Sequence, residues 1–305
     1  MEFHALILLL ALLPQGHTAA GDPLAGATHV NVNGTTLTYI ERGHGGVPVI
    51  FVHGSGADLR TWGYQVQSFG ASRRAIAYSR RYHFPNKWDG DGRDYGPLLH
   101  AADLAAFIRT VADGRVDLVA ASYGGVVALM TARDYPGLVR KLVLVEPVVF
   151  SLLPTDAPEA AGAQQLDRAR AQLLAGDTED ALRTFLTTLI GPGAYDLMPW
   201  HTREMLHDNL PELQAEARAP TVSLSPLYTC DDARAVRAPV LLITGGLSPP
   251  FLKAITTRLA ACLVHVEALT IAGAAHAVHA QQVTAFDDAV ERFLDAREPA
   301  PAATH

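Results

Sequence analysis

Ser122 stands in Val119-Ala120-Ala121-Ser122-Tyr123-Gly124-Gly125-Val126, where an apolar run passes through small residues into a helix-forming stretch, Val126 to Arg133. A serine on such a turn is a nucleophile elbow, in which small neighbours make room for a strained backbone that exposes the hydroxyl. The hydroxyl then lies at a helix N-terminus, where backbone N–H groups and the helix dipole favour developing negative charge. Ala120 occupies the first small position, where glycine is usual, and alanine is small enough for the turn. A serine N-cap at an ordinary strand-to-helix junction would leave a similar local trace, so the reading depends on further segments.

One of these is His53-Gly54-Ser55-Gly56, directly after the apolar run Val47–Val52. A glycine-bearing turn there can aim a backbone N–H at a reacting carbonyl oxygen. The N–H groups of Ser55 and Tyr123 are the two donors expected for an oxyanion hole. His53 itself is read as a turn-stabilising residue. The other segment is Gly273-Ala274-Ala275-His276-Ala277-Val278-His279, where His276 in a small-residue loop is the candidate general base and His279 a structural neighbour. The HxxH spacing would suit a metal, but there is no HExxH and no evident third ligand, so a metal is not expected. A carboxylate is needed to orient the imidazole, and Glu146, between Leu142–Val145 and Pro147, is the candidate. The alternatives are that Glu146 is merely a hydrogen-bonded glutamate, or that the pair works without an acid. Asp231 and Asp232 suit helix capping instead.

The elements that must position these groups alternate between short β-branched runs and longer helical stretches, the pattern of a mostly parallel sheet covered by helices. His29–Val32 and Thr35–Glu41 flank Asn33-Gly34, a hairpin signal. Val47–Val52, Ala75–Tyr78, Val116–Ala120, Leu142–Val145, Val240–Thr244 and His265–Ile271 complete eight expected strands, and Val283–Leu294 is the closing helix. The α/β core is therefore expected over 28–150 and 238–296. Between them, residues 151–237 read as a helical lid with stretches Gln164–Leu174, Glu179–Ile190 and Trp200–Leu213, broken by Gly191-Pro192-Gly193 and Pro211. Trp200, Met205 and Leu206 in it are candidates for an apolar acyl pocket, with a place in the helix core the preferred reading for any one of them. Residues 297–305 lack a core-forming pattern and read as a disordered tail.

Taken together, His53-Gly54, Ala120-x-Ser122-x-Gly124-Gly125, Leu142-Val143-Leu144-Val145-Glu146-Pro147 and Gly273-x-x-His276 resemble the α/β-hydrolase superfamily, from about Asn31 to Leu294. The resemblance is to its lidded lipase/esterase-like, haloperoxidase-like and carbon–carbon-bond hydrolase branches. It implies an eight-stranded mostly parallel sheet flanked by helices, with a helical lid insertion. It also implies a serine hydrolase acting on an ester or related acyl substrate through an acyl-enzyme, without a cofactor, in the chain order serine, acid, histidine. The family commonly places its acid after the strand that follows the lid, in Gly-x-x-Asp. Here that loop is Gly245-Gly246-Leu247-Ser248, without a carboxylate. The superfamily's alternative acid position, after the preceding strand, matches Glu146. Arg80 matches a common arginine of the family and reads, with Arg81, as a loop pin through carbonyls or Asp94 and Asp103. Other outcomes are a non-catalytic ligand-binding protein of this fold, or a lyase or C–C hydrolase with the same triad.

Composition narrows the partners. The 305 residues carry a formal net charge of -7 and no basic run, which argues against nucleic acid and against an anionic membrane surface. A small-molecule acyl substrate is the expected partner; the oligomeric state is not written in the sequence. Cys230 and Cys262 could pair once; the reading taken is two small packing residues. Ala5–Leu13 is apolar, is followed by Pro14 and Gly16, and leads to Thr18-Ala19-Ala20, like a cleavable signal over residues 1–20. The run falls short of the roughly 18 residues a membrane span needs. Export to the periplasm or medium is the reading adopted. Glu2 and the lack of Lys or Arg at the front favour the cytoplasmic alternative.

Overall fold

The computed structural model describes residues 24–88, 92–219 and 228–297. The expected signal segment, and all of the expected tail but Arg297, lie outside the described residues. The sheet runs β1 (Thr28–Val32), β2 (Thr35–Arg42), β3 (Val49–Val52), β4 (Ala75–Tyr78), β5 (Val116–Ala121), β6 (Val139–Val145), β7 (Val240–Gly245) and β8 (Val266–Ile271). In space the order is β1-β2-β4-β3-β5-β6-β7-β8. β1 and β2 pair antiparallel across Asn33-Gly34, and both turn residues have positive φ (44° and 74°), as a right-twisted two-residue hairpin requires. β2 meets β4 antiparallel, and every later pairing is parallel. The eight runs expected from the sequence are these eight strands.

β3, β4 and β5 are buried at every residue, because helices cover both faces of the sheet centre. One layer packs Phe51 and Val143 against Trp62, Phe69 of α1 (Gly63–Phe69) and the closing helix. The other packs Ile50 and Leu118 against α2 (Pro97–Val111) and α3 (Tyr123–Asp134). β8, at the edge, is largely exposed.

Between β6 and β7 come α4 (Ala160–Ala175), α5 (Thr178–Leu189), the short α6 (Ala194–Leu197), α7 (Trp200–Asp208) and α8 (Leu210–Arg218). Leu173, Leu182, Leu186 and Leu213 form their shared core. The single helix expected over Trp200–Leu213 is two. Pro211 cannot donate to the ladder, so α8 begins afresh around it, and the Asn209 side chain bridges Met205 O and Asp58 Oδ2 at the break. Next are α9 (Cys230–Arg234), capped by Thr229 with Asp232 in a reciprocal box, and α10 (Pro250–Cys262). The two-residue α9 cap confirms the capping role expected of this acidic pair for Asp232. The reading of the cysteines as separate packing residues is corrected: Cys230 and Cys262 form a disulfide that ties α9 to the end of α10. They are 32 residues apart, and their Cα atoms lie 5.0 Å apart only once the two helices pack. α11 (Val278–Gln281) and α12 (Val283–Asp295) close the chain. Among the described residues no helix is long and apolar enough to cross a membrane.

Candidate active site

Ser122 joins β5 to α3 with φ 55° and ψ -125°, a region that costs a non-glycine residue of order 1–3 kcal/mol and persists only where surroundings enforce it. The enforcement is visible. Ser122 N–H donates to Val145 O at 2.9 Å and Ser122 O accepts from Gly125 N–H at 2.9 Å. The two glycines are needed for close approach: a Cβ on Gly124 would lie 2.4 Å from His53 O, and one on Gly125 would lie 2.8 Å from the Pro147 Cβ. The elbow is thus wedged between the ends of β3 and β6. A Cβ on Gly54 would stand 3.0 Å from the Ser122 Cβ, so the loop carrying Ser55 passes directly beside the serine. Tyr123 opens α3, where a backbone N–H has no partner within the helix.

Glu146 follows β6 with φ 43° and is fully buried. Its backbone N–H donates to Ile243 O at 3.1 Å. Its Oε1 accepts from Gly245 N–H at 2.9 Å, and its Oε2 lies 2.7 Å from His276 Nδ1. One carboxylate oxygen is therefore anchored to β7 while the other engages the imidazole, which keeps a proton on Nδ1 and makes Nε2 the basic nitrogen. Ser248, at the position where a carboxylate was looked for, is buried beside Gly245, and its Oγ meets no partner. His279 is a separate, structural residue. It stacks on Trp62 at 4.2 Å, and burial pushes it down to about 3, so it is neutral.

Arg80 is fully buried and pins the loop before the serine. Its Nε donates to His53 O and its Nη2 to Gly54 O, both at 3.1 Å, while its guanidinium covers the Tyr123 ring at 4.9 Å. Arg81 pairs with Asp103 at 2.6 Å. His53 accepts from Arg80 N–H through Nε2, as a turn-stabiliser would. Burial, and then the nearby guanidinium, hold His53, His83 and His100 well below the usual histidine range.

A cavity of about 610 Å³ opens over Ser122, Tyr123 and Ser55 and runs between the inserted helices. Phe150, Leu166, Leu173, Leu182, Phe185 and Leu213 give it an apolar wall. Trp200, Met205 and Leu206, candidates for an acyl pocket, do not line it. Trp200 is 70 % exposed, and Met205, about 140° around α7 from it, packs into the helix interior. The tertiary packing assigns that wall to α4, α5 and α8 instead. Two residues that sequence reasoning passed over also reach the site, Glu212 and Glu216 of α8, the second of which lines the cavity. Their i, i+4 spacing was the available signal, although on its own it reads as a solvated helix face.

Residues 49–293 match the model of the alpha/beta hydrolase family. The chain belongs to that family. Esterase Rv0045c of Mycobacterium tuberculosis is 27% identical over 297 residues, spanning 94% of this chain and 96% of its own. Carboxylesterase CesB (YbfK) from Bacillus subtilis superposes with a TM-score of 0.72 at 16% identity, over 96% of this chain and 99% of that one. Est816, described as an N-acyl homoserine lactone degrading enzyme, gives a TM-score of 0.71 at 21% identity over 87% of this chain and 100% of that one. By family, this chain is an α/β hydrolase.

Proposed function

We propose that this hydrolase cleaves a carboxylic ester or related acyl substrate through an acyl-enzyme on Ser122. His276 Nε2 takes the proton from the Ser122 hydroxyl as Oγ attacks the carbonyl carbon, and returns it to the leaving alcohol. Water, activated by the same imidazole, then releases the acid and restores the serine. Glu146 holds the imidazole and offsets the charge it acquires. The backbone N–H groups of Ser55 and Tyr123 receive the oxyanion, each such donor being worth about 3–4 kcal/mol in measured cases. The apolar cavity receives the acyl chain.

The observation that carries this reading is the 2.7 Å contact of His276 Nδ1 with Glu146 Oε2, whose other oxygen is fixed by Gly245. A non-catalytic binding protein has no need of a buried carboxylate aligned on a loop imidazole, nor of a serine held in a strained elbow. Ser122→Ala is expected to abolish turnover of a p-nitrophenyl ester with the melting temperature nearly unchanged, and a fluorophosphonate probe is expected to label the wild type at Ser122 alone. Full activity of the variant, or an unlabelled Ser122, would overturn the reading.

Export belongs to the same proposal. The apolar leader-like run and the Cys230–Cys262 pairing, which suits an oxidising compartment, both support it. Mass spectrometry of the protein from its native cell is expected to find an N-terminus just beyond Ala20. A full-length cytosolic chain with free thiols would refute export.

A further inference from the structure

Glu212 and Glu216 lie one turn apart on α8 beside the oxyanion loop, Glu212 fully buried and Glu216 half-buried on the cavity wall, and the catalytic reading makes no use of them. Glu212 is fully buried. Its Oε2 accepts from Gly56 N–H at 3.0 Å and its Oε1 from the Tyr95 hydroxyl at 2.5 Å. Glu216 lines the cavity with Ser122 and lies in hydrogen-bond reach of the Ser55 hydroxyl and of the Glu212 carboxyl. The Tyr95 hydroxyl lies near it as well, yet its Oε2 is out of water and makes no hydrogen bond. Two touching carboxylates, one with an orphaned oxygen, lack a hydrogen atom between them.

The surrounding charge supplies the same count. Arg80 and His83 face the pair from the loop after β4, Tyr95 and His100 from the start of α2 and the turn before it, and Tyr123 from α3. The histidines are held neutral by burial and the tyrosines keep their protons, which leaves Arg80 as the one cation of this group. One positive charge balances one carboxylate; a second negative charge, with an oxygen out of water and unpartnered, takes up a proton instead.

We propose that Glu212 and Glu216 share one proton as an acid–carboxylate pair and that, by holding Ser55 and Gly56, the pair positions the oxyanion loop. The inference rests on the ester-hydrolase reading for its catalytic consequence. Both glutamates are positioning residues. They act through the loop whose Ser55 N–H meets the substrate. Burial, followed by the neighbouring Glu216 carboxyl, pushes Glu212 up to about 8. Above that pH the shared proton leaves, the two anions repel, and α8 loses its hold on the loop.

The test follows the amide resonance of Gly56 in the full-length protein by heteronuclear NMR from pH 6 to 10, alongside kcat/KM for a p-nitrophenyl ester. The wild-type resonance is expected to titrate with a midpoint near 8, and kcat/KM to drop about tenfold one unit above that midpoint. Glu216→Gln, which donates permanently to Glu212, should flatten the Gly56 titration and remove the alkaline drop. Glu216→Leu should lower kcat roughly tenfold below Glu216→Gln with KM little changed, as a displaced oxyanion donor does. A Gly56 resonance that is flat in the wild type overturns the shared proton without any variant. An alkaline limb that persists unchanged in Glu216→Gln overturns the positioning role. Should the wild type titrate at Gly56 yet neither hydrolyse esters nor label at Ser122, the ester reading fails and, with it, the catalytic role of the pair, while the shared proton stands.

Discussion

Replacing Glu146 by glutamine keeps its shape and removes its charge, so it isolates what the buried carboxylate does for His276. The amide can present its NH₂ to Nδ1 and so favour the wrong tautomer, with Nε2 protonated and unable to act as base. A kcat loss of roughly 10³–10⁴-fold is expected, with the fold intact by circular dichroism. A loss below about tenfold would mean that the imidazole does not depend on this residue. At the elbow the controlling feature is space. Gly124→Ala sets a methyl group 2.4 Å from His53 O and 2.6 Å from Val52 O, both backbone atoms that cannot swing aside. Overpacking of this kind costs about 1–3 kcal/mol, readable as a lowered urea midpoint at unchanged m-value. The serine, the histidine and both small flanks were legible in the sequence because the elbow's steric demand leaves a local trace. Glu146 was legible only as a carboxylate at a strand end. Its alignment on His276 depends on β6 lying beside β7, 99 residues away along the chain from Glu146 to Gly245.

At the scale of the elements, α4, α5 and α8 set what fits over the serine. Ala163, a small residue of α4 on the cavity wall, has room beside it that an acyl chain could use. Ala163→Trp is expected to exclude the distal methylenes of a long acyl chain. At about 0.8 kcal/mol per buried methylene, displacing two of them raises KM for an octanoate-type p-nitrophenyl ester roughly tenfold and leaves the acetate unaffected. Equal effects on both esters would place the acyl chain elsewhere. The strands and the closing helix were readable from periodicity alone, since apolar runs of four to six residues between turn signals have few alternatives. The inserted helices were readable as helices. Which face each turned to the cavity was not, because α7, where Trp200 and Met205 were candidates for the pocket, instead packs beside the helices that line it.

Across the whole molecule, two linkages can be measured. Cys230 and Cys262 close a loop of about 33 residues, for which chain entropy predicts about 3–4 kcal/mol of stabilisation. Reduction, or Cys262→Ser, is therefore expected to lower the melting temperature by roughly 5–10 °C. A drop under about 1 °C would show that the pairing is dispensable. The buried histidines His53, His83, His100 and His279 are all held below the ordinary histidine value. Their folded forms are neutral, so the unfolded chain binds more protons once the pH falls below about 6.5. The stability they contribute is complete above that pH and is lost on acidification, by about 1.4 kcal/mol per pH unit for each histidine that charges only on unfolding. Glu212 acts in the opposite sense: its raised value means that stability is lost as pH rises from its ordinary range toward about 8. Urea denaturation between pH 5 and 9 should accordingly show a maximum near neutrality, with the acid limb the steeper; a stability flat below pH 6.5 would contradict the neutral histidines.

By itself the sequence determined the alternation of strand and helix, the serine elbow, the loop histidine and a family resemblance, because each is encoded by residue type at short range. The tertiary structure decided the identity of the wall above the serine, the cysteine pairing, the partnership of Glu146 with His276 and the juxtaposition of Glu212 with Gly56. These are encounters between segments 30 to more than 150 residues apart, set by which helices and strand ends the packed sheet brings together. No local pattern carries that information, since a glutamate one turn from another looks the same on a solvated helix as on one pressed into a core.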